Sequence, residues 1–151
     1  EKEYSVTVIT QNVDNLHERA GSKRVIHLHG ELTKVCSSRA PYNPHYIKEL
    51  KPEEYEVKMG DKAGDGTQLR PFIVWFGEAV PEIETAIQYV EKADIFVIIG
   101  TSLNVYPAAG FINYFKGRKL VIINKAATSA DKNADLVISE PIGEVLGSLK
   151  I

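Results

Sequence analysis

The sequence predicts an α/β fold, built as a doubly wound and mostly parallel sheet with a small inserted module. From residue 72 onward, short apolar runs bounded by Gly or Asn alternate with segments of helical period, which is typical of a βαβ series. The run from Ile95 to Ile99 contains no polar residue, as expected of a parallel strand covered on both faces. Residues 34–68 break this pattern, because Pro and Gly cluster there.

The first third of the chain supplies a strand, a helix and a second strand. Ser5 to Thr10 and Val25 to Leu28 have strand character. The segment from Asn15 to Ala20 between them is predicted to be a helix that ends at Gly21. We expect these elements to join the same sheet as the βαβ series.

The βαβ series begins with a predicted strand from Phe72 to Trp75. Ile83, Ile87 and Val90 then recur at helical spacing behind Pro81, which predicts an amphipathic helix. The later elements alternate, with strands over 95–99, 120–123 and 136–138 and helices over 107–115 and 142–149. Residues 1–33 and 69–151 are therefore predicted to form a Rossmann-like domain, and residues 34–68 an inserted, loop-rich module.

The composition excludes several classes of protein. The 151 residues are 44% hydrophobic and 25% charged, as in a soluble globular chain, and the formal net charge is −2. This charge predicts binding neither to nucleic acid nor to an anionic membrane, and no apolar run reaches the roughly 20 residues of a membrane span. One cysteine, Cys36, excludes a disulfide framework and favours a reducing, cytoplasmic location.

Small polar residues follow the predicted strands where each strand ends. Ligands of open α/β sheets bind at this edge, and a glycine there lets a phosphate approach the backbone. The placement favours a nucleotide, although each Ser, Thr, Asn or Asp taken alone is better explained as a helix cap. The residues are Gln11, Asn12, Asp14, His29, Gly77, Glu78, Gly100, Thr101, Ser102 and Asn124.

The histidines have different predicted roles. His29 stands beside Gly30 at the end of a strand, where an imidazole is useful as a general base. His27 is interpreted as a structural histidine, and His17 and His45 as surface residues. A metal site formed by His27, His29 and Cys36 is the less favoured alternative, because a fourth ligand and a zinc-ribbon spacing are missing.

Five segments stand in the order of one family's motifs: residues 10–21, 27–31, 70–78, 100–108 and 123–124. They match the family's TQNxDxLHxxAG stretch, its segment ending in the catalytic His-Gly, and its RPxxVWFGE, GTSLxVxPA and IN motifs. The chain therefore resembles the sirtuins, NAD-dependent protein-lysine deacylases, and looks most like their bacterial and mitochondrial desuccinylase-like subgroup. The resemblance implies NAD as co-substrate and acylated-lysine proteins or peptides as partners.

The resemblance also implies a role for each site residue. His29 would be the general base, Gln11 would bind the nicotinamide ribose, and Asn12 and Asp14 would hold the carboxamide. Gly100, Thr101 and Ser102 would face phosphates and ribose, Asn124 the adenine ribose, and Ile142 the adenine ring. The acyl-lysine channel would be lined by Val74, Phe76, Gly77 and Glu78.

The sequence departs from the family pattern at two places. The N-terminal GAGxSxxSGIPxFR cofactor segment is absent, so we expect the chain to be the C-terminal part of a longer protein, inactive alone. The family's two Cys-x-x-Cys pairs are reduced to Cys36, so the module is interpreted as the remnant of a zinc ribbon without zinc. Mono-ADP-ribosyl transfer and a non-catalytic nucleotide-binding module remain alternatives to deacylation.

Overall fold

The computed structural model of the chain describes residues 4–51, 53 and 56–149. The chain divides into two compact units, residues 1–82 and residues 83–151. Both units contain parallel strands with helices between them, so the predicted α/β class is confirmed. Among the described residues, no helix is both long enough and apolar enough to cross a bilayer.

The first unit begins with a small parallel pair of strands. β1 (Val8–Thr10) pairs with β2 (Val25–His27), and helix α1 (Leu16–Arg19) lies between them in the sequence. Ile26 and Leu28 are buried. These three elements were predicted, but β1 is shorter than the interval Ser5 to Thr10. The expectation that they join the sheet of the βαβ series is wrong, because β1 and β2 form a two-stranded sheet of their own.

An antiparallel sheet fills the rest of the first unit. β3 (Gly30–Ser37) lies between β4 (Lys48–Glu49) and β5 (Leu69–Ile73), and a 3-10 helix (Pro44–Tyr46) precedes β4. The prediction that 72–75 opens the parallel series is wrong, because β5 runs antiparallel to β3, with Gly30 opposite Ile73. A short apolar run does not show whether a strand pairs in the parallel or the antiparallel direction.

Gly30 is required where β3 starts. Its φ is +81°, and a Cβ at this position would stand 2.1 Å from the carbonyl oxygen of Phe72. A side chain is therefore excluded both by the backbone conformation and by the contact with β5. This close approach places His29 directly beside the end of β5.

The second unit contains the predicted βαβ series. Helix α2 (Ile83–Lys92) leads to a parallel sheet in the order β6 (Ile95–Ile99), β7 (Lys119–Ile123) and β8 (Leu136–Ile138). Helix α3 (Ile142–Ser148) follows β8. The crossover between β6 and β7 is a 3-10 helix (Ala108–Tyr114) instead of a longer helix, and its Gly110 and Asn113 have low α-helix propensity.

The core of the second unit covers one face of the sheet. Ile98, Leu120, Ile122 and Ala130 are buried together, and Phe96 and Phe115 pack against them. On the other face of β6, Ile95, Val97 and Ile99 are exposed. The prediction that both faces of this strand are covered is therefore wrong for the described residues.

Candidate functional site

His29 lies just beyond β2 and is half-buried. Its Nδ1 is 3.2 Å from the backbone carbonyl oxygen of Gln11, which follows β1. A carbonyl oxygen only accepts hydrogen bonds, so Nδ1 carries the proton and Nε2 carries the lone pair. No described residue hydrogen-bonds to Nε2, which leaves this nitrogen able to accept a proton from a ligand.

The segment after β1 is held by its own backbone and by two strands. The Asn12 N–H donates to Oγ1 of Thr10 at 3.1 Å, and the carbonyl oxygen of Val13 accepts from the N–H of Leu32 at 2.8 Å. Asp14 uses one carboxylate oxygen to accept from the Leu16 N–H at 3.1 Å. This contact is an Asx turn just before α1, whose N-cap residue is Asn15, and the second carboxylate oxygen of Asp14 is left for a ligand.

His27 is bound through both ring nitrogens. Its Nδ1 is 3.2 Å from the carbonyl oxygen of Asn12, and its Nε2 is 2.8 Å from Oε1 of Glu18. Only 7% of its side chain is exposed. The prediction of a satisfied structural imidazole is confirmed, and Glu18 is a partner that sequence reasoning missed.

The predicted substrate-binding residues lie in the segment that follows β5. The Val74 N–H donates to the carbonyl oxygen of His29 at 2.9 Å, so this segment begins against the candidate base. Residues 75–78 form a tight turn closed by the bond from the Glu78 N–H to the Trp75 carbonyl oxygen at 3.0 Å. Gly77 supplies the φ of +90° that its position requires, and Phe76 is fully exposed.

Two residues outside the predicted set hold this turn. Arg70 donates from Nη2 to Oε1 of Glu78 at 2.8 Å and from Nη1 to the Ile73 carbonyl oxygen at 3.4 Å. The Tyr42 hydroxyl donates to the carbonyl oxygen of Ala79 at 2.8 Å. Arg70 stands in the RP motif that the sequence displays, whereas no sequence pattern indicates Tyr42.

Glu78 is an ionised acceptor in this network. Burial raises its pKa, but the hydrogen bonds from the Trp75 N–H and from Arg70, with the charge of Arg70, bring the pKa below its ordinary value. Burial and the charge of Glu78 raise the pKa of the Tyr42 phenol, which keeps this hydroxyl a donor. Charge-assisted hydrogen bonding from Arg70, a residue of β5, therefore fixes the turn.

The second unit places its predicted residues at the carboxyl edge of the parallel sheet. Ile99 pairs with Ile123, so Gly100 and Asn124 follow neighbouring strands at one edge. Gly100 has a φ of +62°, and no atom lies within 4 Å of the place that a Cβ would occupy, which leaves open space for a ligand to approach its backbone. This is the edge at which ligands bind in open α/β sheets.

Local hydrogen bonds shape the two loops at this edge. Oγ1 of Thr101 accepts from the Leu103 N–H at 3.2 Å, and Nδ2 of Asn124 donates to the Ala126 carbonyl oxygen at 2.7 Å. Ser102 is exposed, and Ile142 is half-buried at the first position of α3. The predicted site residues are thus divided between the two units.

The predicted module, residues 34–68, has a polar cluster near Cys36. The buried Ser37 hydroxyl donates to Oδ2 of Asp65 at 2.6 Å, and Thr67 donates from its hydroxyl and its N–H to Oδ1 of Asp65. Burial raises the pKa of the Cys36 thiol, which lies 3.7 Å from the Pro71 carbonyl oxygen. No group of three or more His, Cys, Asp or Glu suited to a metal occurs among residues 4–51, 53 and 56–149.

Comparisons with known proteins agree on one family. The sequence model of the Sir2 family matches residues 1–107. An NAD-dependent protein deacylase from Bacteroides thetaiotaomicron is 82% identical over 125 residues, which are 82% of this chain and 53% of that protein. The chain spans about half the length of the curated relatives it matches.

Solved structures give the same result. A crystal structure of a Sir2 homologue in complex with NAD has a TM-score of 0.78 at 38% identity, over 93% of this chain and 55% of that chain. A Sir2 structure with a p53 peptide and NAD+ has a TM-score of 0.74 at 35% identity, over 93% of this chain and 60% of that chain.

Proposed function

Because this chain belongs to the Sir2 family, we propose that it supplies the general base and much of the binding site of an NAD-dependent protein-lysine deacylase. The reaction would move the acyl group from lysine to ADP-ribose and release nicotinamide. Since the chain spans about half the length of its curated relatives, this activity is proposed for the whole protein.

The observation that carries the proposal is the hydrogen bonding of His29. Its Nδ1 is occupied by the Gln11 carbonyl oxygen, and its Nε2 is available to take the proton of a ribose hydroxyl. The backbone of the same residue binds Val74, the first residue of the proposed substrate segment. The base and the peptide segment are therefore fixed to each other through one residue.

The chain offers suitable groups for NAD in each unit. When bound, NAD supplies the ribose carbon that takes up the acyl oxygen as nicotinamide leaves, and the hydroxyl that then receives the acyl group. We assign Asn12 and Asp14 to the carboxamide and Gln11 to its ribose. In the second unit, we assign Gly100, Thr101 and Ser102 to phosphates and ribose, and Asn124 and Ile142 to the adenosine.

The turn at residues 75–78 is assigned to the acyl-lysine substrate. Val74 and the exposed Phe76 offer apolar surface to a lysine stem, while Gly77 and Glu78 complete the turn. Backbone groups of this segment would pair with an extended peptide. No nucleophilic Ser or Cys is required by this chemistry, and the thiol of Cys36 is fully buried.

We propose further properties on the sequence alone. A cytoplasmic location is supported by the single cysteine, and a net charge of −2 argues against nucleic acid or membrane partners. We assign residues 34–68 to an inserted module that holds no structural zinc, because Cys36 is the single cysteine and no zinc-ribbon spacing occurs.

The test is product identification with the whole protein. The protein is incubated with NAD and an acylated-lysine peptide, and nicotinamide, deacylated peptide and O-acyl-ADP-ribose are measured by mass spectrometry. We expect the three products in equal amounts, with none formed when NAD is omitted.

Two other results would replace this proposal. ADP-ribose attached to protein, with the acyl peptide unchanged, would identify a mono-ADP-ribosyltransferase. Saturable NAD binding without any turnover would identify a non-catalytic nucleotide-binding protein.

A further inference from the structure

His27 and His29 contact two consecutive backbone carbonyl groups. His29 binds the carbonyl oxygen of Gln11 and His27 that of Asn12, each through Nδ1 and each at 3.2 Å. The two rings differ at Nε2, because His27 contacts Glu18 there at 2.8 Å. One ring is therefore available to a ligand, and the other is committed at both nitrogens.

Both partners of His27 are acceptors. The Asn12 carbonyl oxygen has no proton to give, and neither has the ionised carboxylate of Glu18. Burial raises the pKa of Glu18, but the hydrogen bonds from His27 and from its own backbone N–H bring the pKa below its ordinary value. The His27 Nδ1–H donates to the Asn12 carbonyl oxygen, and Nε2 contacts the Glu18 carboxylate at 2.8 Å, so both ring nitrogens are committed to partners in the chain.

The contact through Nδ1 is one of two hydrogen bonds that fix the peptide groups of Asn12. The Asn12 N–H is bound by Oγ1 of Thr10 at 3.1 Å, and its carbonyl oxygen is bound by His27. The Asn12 side chain is exposed, so packing does not orient it. Its direction depends on the backbone, and the backbone depends on these two hydrogen bonds.

We propose that His27 is a positioning residue that orients Asn12 for the nicotinamide carboxamide, with Glu18 holding the ring in place. This inference rests on the proposed function for the role of Asn12. His27 itself does not touch substrate, and its effect passes through the Asn12 carbonyl group. Glu18 and His27 thus form a support beneath the segment from Gln11 to Asp14.

Two substitutions at His27 test the roles of its two ring nitrogens separately. In His27→Asn, the side-chain amide nitrogen stands near the position of Nδ1 and can still donate to the Asn12 carbonyl oxygen. In His27→Gln, the amide nitrogen stands near the position of Nε2 and reaches Glu18 instead. The exposed His45 provides the control, as His45→Gln.

We expect His27→Gln to raise the KM for NAD about tenfold, the effect of losing one hydrogen bond. His27→Asn should keep the KM for NAD within about threefold of wild type, since its amide group still donates to the Asn12 carbonyl oxygen. The KM for the acyl peptide should not change in either variant. An equal effect of both variants on the two KM values would show a general loss of structure and would overturn the proposal.

Nitrogen-15 NMR of the full chain tests the geometry without any assay of activity. We expect the Nδ1 signal of His27 to be that of a nitrogen that carries a proton, because its partner is a carbonyl oxygen. Glu18→Gln, a change on the surface of α1, should move the Nε2 signal while the Asn12 amide signal stays in place. An unprotonated Nδ1 in the wild-type chain would overturn the proposed hydrogen bonding.

The same measurements distinguish a failure of this inference from a failure of the proposed function. If the whole protein does not deacylate, but the Asn12 amide signal moves in His27→Gln and not in His27→Asn, the support role stands and the proposed reaction is wrong. If the protein deacylates and the Asn12 signal is unmoved in His27→Gln, the proposed reaction stands and the support role is wrong.

Discussion

The first unit holds its site residues by hydrogen bonds between distant parts of the sequence, whereas the second unit holds them at the ends of a parallel sheet. In residues 1–82, the His29 ring binds the Gln11 carbonyl oxygen, and the His29 carbonyl oxygen accepts from Val74. In residues 83–151, the N–H groups of Gly100 and Asn124 bind the carbonyl oxygens of Ile123 and Ile138 on the neighbouring strands.

This difference determines which changes each site tolerates. A site held by individual side chains loses its geometry when one of them is replaced, whereas a site at a sheet edge keeps its geometry while the sheet is intact. The first unit should therefore respond strongly to single polar substitutions. The second unit should respond to them weakly.

Removal of the base should give the largest effect. We expect His29→Ala to lower kcat by about two to four orders of magnitude, the usual range for a positioned base, with a small change in the KM for NAD. Asn124→Ala in the second unit should instead raise the KM for NAD by about tenfold or less with kcat retained, because it removes a binding contact.

Steady-state kinetics of the whole protein, with the fold checked by circular dichroism, would measure both variants. Near-normal kcat in a folded His29→Ala variant would remove His29 from the mechanism. A large fall of kcat in Asn124→Ala would erase the contrast between the two units.

Substitution of one glycine by alanine in each unit compares how well the two backbones tolerate a side chain. Gly30→Ala places a Cβ 2.1 Å from the Phe72 carbonyl oxygen at a φ of +81°, and we expect a loss of about 3 kcal/mol or more in the free energy of unfolding. Gly100→Ala meets no atom within 4 Å at a φ of +62°, so its cost should be about 1 kcal/mol.

Urea titration measures both changes. The only tryptophan, Trp75, reports the first unit by fluorescence, and circular dichroism reports the whole chain. Similar losses in the two variants would mean that the close approach at Gly30 relaxes easily.

The second unit was the more predictable from sequence. The apolar runs at 95–99, 120–123 and 136–138 became β6, β7 and β8, because a buried parallel strand has a continuous apolar signature. Exposure of Ile95, Val97 and Ile99 was not predictable, since apolar residues do not indicate which face is covered. The predicted crossover helix is a 3-10 helix, for which the low α-helix propensity of Gly110 and Asn113 was a local sign.

The first unit shows what pattern reasoning cannot supply. The positions of His29, Asn12 and Val74 followed from their motifs, but the hydrogen bonds that hold them join residues 15 to 45 positions apart. The antiparallel pairing of β5 with β3, and the contact between Arg70 and Glu78, have no signal in the apolar pattern of the sequence. Such contacts exist only after the chain has folded.

Two ion pairs, one in each unit, give the next comparison. Arg70 is 14% exposed and holds Glu78 at 2.8 Å, whereas Arg118 is 80% exposed and lies 3.6 Å from Asp94. We expect Arg70→Ala to raise the KM for the acyl peptide about tenfold through loss of the charge-assisted contact, with the KM for NAD unchanged. Arg118→Ala should change neither value, because exposed pairs contribute little.

A lysine at position 70 refines this test. Arg70→Lys keeps the charge but cannot bind both the Glu78 carboxylate and the Ile73 carbonyl oxygen with a planar fork, so it should fall between Arg70→Ala and wild type. If Arg70→Ala leaves the peptide KM unchanged, the turn at 75–78 is not held by this pair.

The smallest expected effect concerns acid stability, where each unit has one carboxylate with a lowered pKa. Hydrogen bonds from Ser37 and Thr67 bring the pKa of Asp65 from 3.8 to about 2, and the N–H of Leu120 lowers the pKa of Asp135. A carboxylate with a lowered pKa stabilises the folded state fully above its unfolded pKa, and this contribution is lost as the pH falls through the folded pKa.

For Asp65, the loss should occur between pH 3.8 and about 2. We therefore expect Asp65→Asn to be less stable than wild type at neutral pH. The difference in stability should disappear over that interval, because protonation then removes the same charge from the wild type.

The carboxylate of Asp65 accepts three hydrogen bonds from Ser37 and Thr67, whereas that of Asp135 is held chiefly by one backbone N–H and by the exposed Lys119. Asp135→Asn should therefore show the smaller difference in stability of the two variants. Urea titrations at a series of pH values would measure it, and a difference for Asp65→Asn that does not depend on pH would assign its effect to packing in the module and not to the ionised carboxylate.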